Sequence, residues 1–145
     1  MAIKTFEEYL KIGIIKKQSP NKFRSLSLIK ESDEKKEFLQ TSLKLIPKNK
    51  MNYNFIVDSS YDIIMELIRA KMFTDGYNAG NSHEAEVSYL SKLNFSQMDI
   101  VFMDELRYFR NGTKYYGKIL DEDYAKKVLG FMVSIVPKLK KLIQN

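Results

Sequence analysis

Residues 53–74 read YNFIVDSSYDIIMELIRAKMFT, and their spacing decides the fold. Val57, Tyr61, Ile64, Ile68 and Met72 recur at intervals of four, three, four and four, which is one face of an α-helix. Ile56, Ile63 and Leu67 widen that face well past a narrow stripe. A helix apolar around most of its girth belongs at the centre of a protein rather than at its rim. The segment therefore predicts a central helix from about Tyr53 to Thr74 with other helices packed around it.

The flanking sequence supplies those helices. Thr5-Phe6-Glu7-Glu8 fits a capping box and predicts a helix to about Lys17. Ser19-Pro20 marks a second start, with Ser at the cap and Pro at the first helical position, for a helix running to Ile46 with Pro47 as its stop. The charged run from Lys30 to Lys36 is either an exposed middle of that helix or a break at Ser32. After the central helix, Asp75-Gly76 and Ala79-Gly80-Asn81-Ser82 read as a loop. Asn81 with Glu84, or Ser82 alone, caps a short helix to about Leu93. Ser96 to Asp99 opens a fifth helix through Tyr116, stopped at Gly117. Asp121-Glu122-Asp123 opens a sixth, apolar at Tyr124, Val128, Phe131, Ile135, Leu139 and Leu142, which Pro137 is expected to kink or cut short. No stretch alternates as a strand does, and no repeat or linker divides the chain. The expectation is one all-α domain over residues 1–145, an antiparallel up-and-down bundle of five to six helices.

Composition narrows the chemistry. A chain of 145 residues buries about 68–70% of its unfolded surface and folds without staples. It has no cysteine and one histidine, His83, so thiolate metal sites, disulfides and cysteine nucleophiles are excluded. The net charge of +6 lies wholly in residues 1–50, which carry twelve Lys/Arg against six Asp/Glu. Such an excess suits nucleic acid or an acidic surface, and equally a lysine-rich solvated face. No apolar run approaches the roughly 18 residues of a membrane span, and the N-terminus does not read as a secretory signal. The expectation is a cytoplasmic protein with no membrane contact, metal or cofactor.

The informative stretch for function is Glu105 to Gly117, ELRYFRNGTKYYG. On a helix, Arg107, Arg110 and Lys114 share one face, with Asn111 beside them, while Phe102, Leu106 and Phe109 share another. Arginine offers a planar fork of donors suited to phosphate, and lysine adds a point charge. Tyr115 and Tyr116 are able to stack on bases, as single-stranded RNA recognition requires. Cations at this spacing also make solvated faces, and paired tyrosines also pack between helices. Asp62 and Glu66 stand at i, i+4 on the central helix and are candidate ion-pair partners for Arg107 or Arg110.

Three segments together resemble the HEPN domain family, small helical-bundle proteins of bacteria and archaea. They are Tyr61 to Leu67; Asp75-Gly76-Tyr77 leading to Ser82-His83-Glu84-Ala85 and Tyr89-Leu90; and Leu106 to Gly117. The last is similar to the Arg-Asn-x-x-His/Lys-Tyr-Tyr-Gly form of archaeal members. In ribonucleases of that family an Arg is followed by a polar residue and, four to six positions after the Arg, by a His; two copies meet and cleave RNA without metal. The resemblance places Arg110 at the Arg and Asn111 at the polar residue, with Lys114, Tyr115 and Tyr116 where the His would fall. Histidine titrates at about 6.5 and lysine at about 10.4, so Lys114 is a poor proton-transfer group unless its pKa is lowered by several units. His83 belongs to a helix start and reads as a capping or packing residue. The resemblance implies a homodimer that binds RNA, a nucleotide or a nucleotidyltransferase partner in a toxin–antitoxin or defence module, without catalysis. Its alternatives are a metal-independent ribonuclease with a degenerate motif and a purely structural interaction protein.

Overall fold

The computed structural model describes residues 3–115 and 119–144. Six α-helices occupy most of them: α1 (Phe6–Lys11), α2 (Lys22–Leu45), α3 (Tyr53–Asp75), α4 (His83–Ser88), α5 (Gln97–Tyr115) and α6 (Glu122–Gln144). The fold is an all-α bundle. Local chemistry sets each start: the carboxamides of Asn21 and Asn52 accept the backbone N–H of Arg24 and Phe55. Ser82, Ser96 and Asp121 do the same for Ala85, Asp99 and Tyr124. Thr5 and Glu8 close the capping box.

The four long helices alternate in direction. The start of α2 meets the end of α3, where Asn21 N–H donates to the Phe73 carbonyl, and Phe38 near the other end stacks edge-on to Phe55. The Tyr53 hydroxyl at the head of α3 donates to Glu122 at the head of α6, so α3 and α6 run the same way. Phe102 and Phe109 of α5 stack on Phe131 and Tyr124 of α6, which sets α5 opposite to α6. At the centre lies α3, packed on α2, α6 and α5. Ile63, Ile64, Leu67 and Ile68 are wholly buried there, as the all-round apolar pattern of residues 53–74 requires.

Several boundaries differ from those the sequence suggests. The first helix stops at Lys11 rather than near Lys17, because Gly13 turns left-handed at φ +80° and both Ile14 and Ile15 N–H donate to the Tyr9 carbonyl. That turn delivers Ile15 into the core, a burial that a continuing helix would not achieve. The freed chain forms a two-residue strand, β1 (Lys16–Lys17), antiparallel to β2 (Tyr77–Asn78), with Lys16 opposite Asn78. The second helix starts at Lys22 under an Asn21 cap, not at Ser19-Pro20. Residues 18–20 are committed elsewhere: Gln18 N–H donates to the Gly76 carbonyl, and Pro20 lies close to Gly76.

The charged middle of α2 does not break. Ser32 is buried and its hydroxyl donates to the Ile63 carbonyl at 2.9 Å, seating one uninterrupted helix on α3. Of the two candidate caps before α4, Ser82 is the one that acts. Pro137 does not cut α6 short; the helix continues to Gln144. The residue whose carbonyl loses its partner to Pro137 is Val133, on the exposed side of α6. The expected stop at Gly117 lies outside the described residues.

Candidate functional site

Helix α5 is anchored by Ile100, Met103 and Leu106, all buried, and by Phe102 and Phe109 packed against α6. This leaves Arg107 and Arg110 on the side facing α3 and α4. The Arg110 guanidinium reaches Asp62, with Nη2 3.1 Å from Oδ1 and 3.5 Å from Oδ2. It also lies over the Tyr61 ring, 5.5 Å from the centroid. Arg107 donates from Nε to Asp104 at 2.8 Å and reaches Glu84 of α4 at 3.6 Å. The expected cationic face thus meets carboxylates from α3, α4 and its own preceding turn. Both arginine side chains keep about one-sixth of their surface exposed, 16% and 17%. Asn111 is half-buried. The side chains of Lys114, Tyr115 and Tyr116 lie outside the described residues.

Glu66 does not join this cluster. Four residues carry a helix past one full turn by about 40°, enough to put Asp62 toward α5 and Glu66 toward α2. There Glu66 pairs with Lys35 Nζ at 3.1 Å, and Glu31 pairs with the same ammonium at 3.4 Å. Burial pushes the Glu66 carboxyl up to about 7 against the pull of Lys35. The ammonium, less enclosed, is pushed down by its own burial but held above its ordinary value by Glu66. The sequence offered Asp62 or Glu66 as a partner for the α5 arginines; of the two, Asp62 makes that contact, with Arg110.

A second polar cluster lies beyond Tyr61 and was not legible in the sequence. Glu86 of α4 is buried to 2% exposure and accepts from Arg69 of α3 in a two-pronged contact, one prong at 2.9 Å. His83 Nδ1 lies 3.0 Å from the same carboxylate. Burial pushes Glu86 up, but the hydrogen bonds from His83 and Arg69 outweigh it and hold the carboxyl below its ordinary range. The signal available beforehand was Arg69 itself, a cation inside the most apolar helix, which needs a carboxylate nearby. His83 is neither the cap nor a packed core residue: Ser82 caps, and His83 is a surface residue held by Glu86. Tyr61 stands between the two clusters, with its ring edge-on to His83 at 6.5 Å. Its hydroxyl is pushed well up, first by burial and then by Glu86.

Among the described residues, no group of three or more His, Asp or Glu is placed to hold a metal ion. No helix among them is long and apolar enough to cross a membrane. Compared with known protein families, with curated proteins and with solved structures, the chain finds no match.

Proposed function

We propose that this protein is a non-catalytic HEPN-like binding protein that pairs with a second copy through α5 and presents the paired helices to a protein partner of the nucleotidyltransferase kind. The observation that carries the reading is a face of α5 that the other described residues leave uncovered. Met98, Val101 and Tyr108 fall at intervals of three and seven and are 83%, 57% and 67% exposed. Helices bury such stripes against something. Beside the stripe run Asp104, Glu105 and Arg107, which line a shallow groove with Val101 and Tyr108. A two-fold axis across this face would set Asp104 and Glu105 of one copy near Arg107 of the other.

Two features support binding without catalysis. Where the resembling ribonucleases carry His, this chain carries Lys114. Arg110, the residue matched to their phosphate-holding Arg, is engaged by Asp62. A guanidinium already neutralised in this way has less to offer an RNA phosphate than an open one. The partner class follows from the resemblance to HEPN proteins.

Sedimentation of the wild type and of Val101→Glu with Tyr108→Glu tests the reading. The wild type is expected to be dimeric at tens of micromolar and the double variant monomeric with unchanged circular dichroism. A monomeric wild type sinks the dimer. RNA cleavage in EDTA that Arg110→Ala abolishes sinks the non-catalytic reading.

A further inference from the structure

The cavity of about 300 Å³ between the start of α2, the end of α3, β2 and α4 is separate from the α5 surface. Two guanidinium groups line it, those of Arg24 and Arg69, with His83 beside them and Glu86 as the carboxylate in its wall. Hydrogen-bond capacity shows what is missing. Arg69 spends two of its five N–H donors on Glu86. Its other three have no hydrogen-bond acceptor among the described residues, nor do the five of the Arg24 guanidinium. Arg24 instead lies over the Phe73 ring, 4.5 Å from the centroid, a stacking that limits its rotamers while leaving the rim of the fork open. His83 engages Glu86 through Nδ1, which leaves Nε2 for a further contact.

The walls are held firmly. Asn21 N–H donates to the Phe73 carbonyl and Gln18 N–H to the Gly76 carbonyl, so the segment carrying Arg24 is stitched to the segment carrying Phe73. On the far side the Asn78 carboxamide accepts Gly80 N–H at 2.7 Å and shapes the rim. A buried ion pair such as Arg69–Glu86 is a weak source of stability, since apolar residues of the same size do as well. Here it aims a guanidinium into a cavity with three donors to spare. Several open N–H donors and a cationic excess in a pre-shaped hollow suit a ligand that is anionic and rich in acceptor oxygens. The hollow is several times larger than a phosphate group, so the phosphate brings a small substituent with it.

We propose that this cavity binds a small phosphate monoester, with its phosphate between Arg24 and Arg69 and its organic group against Asn78 and Ala79. The test is isothermal titration of the full chain with AMP, ribose 5-phosphate and inorganic phosphate, and with adenosine as the phosphate-free control. The phosphate esters are expected to bind saturably and adenosine not at all. Arg24→Ala, at an exposed position that leaves the fold intact, is expected to weaken binding at least tenfold. Arg69→Met with Glu86→Leu removes the buried pair as a unit and is expected to abolish binding. Inorganic phosphate binding as tightly as the esters overturns an ester as the occupant. The proposal is overturned if none of the phosphates binds at millimolar concentration, or if Arg24→Ala binds them as the wild type does. Neither result bears on pairing through α5.

Discussion

Asp62 and Glu66 stand one helical turn apart on α3, yet their carboxylates face different neighbours. Asp62 pairs with Arg110 at a site where both side chains retain some solvent, 34% and 17%. Partly exposed pairs couple by about 0.2–1 kcal/mol. A double-mutant cycle with Asp62→Ala and Arg110→Ala is expected to return a coupling in that range. Coupling indistinguishable from zero means that Arg110 is held by its other contacts and not by Asp62. Glu66 is more enclosed, and burial raises its carboxyl from an ordinary value of 4.5 to about 7. Between those values the folded protein keeps a proton that the unfolded chain has released. Stability contributed at Glu66 is therefore present below about pH 4.5, falls as pH rises through the window, and is flat above about 7. Glu66→Gln removes that dependence and still accepts from Lys35. Thermal melts from pH 5 to 8 should show the variant gaining on the wild type by about 1–2 kcal/mol across the range. Parallel profiles contradict the raised value.

At the scale of elements, contacts at two small residues position the helices that carry the candidate sites. Gly76 ends α3 in the left-handed region at φ +86°, and a Cβ there would sit 2.6 Å from the Gln18 carbonyl oxygen. Gly76→Ala meets both the strained backbone and a rigid main-chain atom. A loss of about 2 kcal/mol or more is expected by chemical denaturation. A neutral result would show that the 18–20 segment gives way easily. Ser32 is the point at which α2 touches the α3 backbone. Ser32→Ala deletes one hydrogen bond while the Ile63 carbonyl keeps its place in the helix ladder, so the expected cost is about 1 kcal/mol. Ser32→Leu forces the helices apart and should cost clearly more. Equal effects of the two variants would mean that α2 is loosely seated.

For the whole molecule, charge and shape point to different faces. The cationic excess lies in residues 1–50, while the arginines of α5 are met by Asp62, Asp104 and Glu84. Association with single-stranded RNA by this protein should therefore be weak and steeply salt-dependent. It should also be the same for the wild type and Arg110→Ala in fluorescence anisotropy at two salt concentrations. A tenfold loss on Arg110→Ala would place an RNA site on α5. The exposed Met98, Val101 and Tyr108 stripe runs along the same helix as those neutralised arginines.

The sequence by itself determined the helices and which of them is central. Caps such as Thr5 and Ser96 act within four residues, and the period of α3 states how much of its girth must be covered; both are local properties of the chain. It also put Arg107 and Arg110 on one helical face. The tertiary structure decided what those faces meet. Whether Arg110 takes Asp62, whether Glu66 takes Lys35, and that Arg69 finds Glu86 and His83 depend on the register of one helix against another. A helical period gives the direction of a side chain and says nothing of the neighbour opposite. The early stop of α1 has the same origin: Gly13 permits the turn, but burial of Ile15 in a core assembled from distant residues selects it.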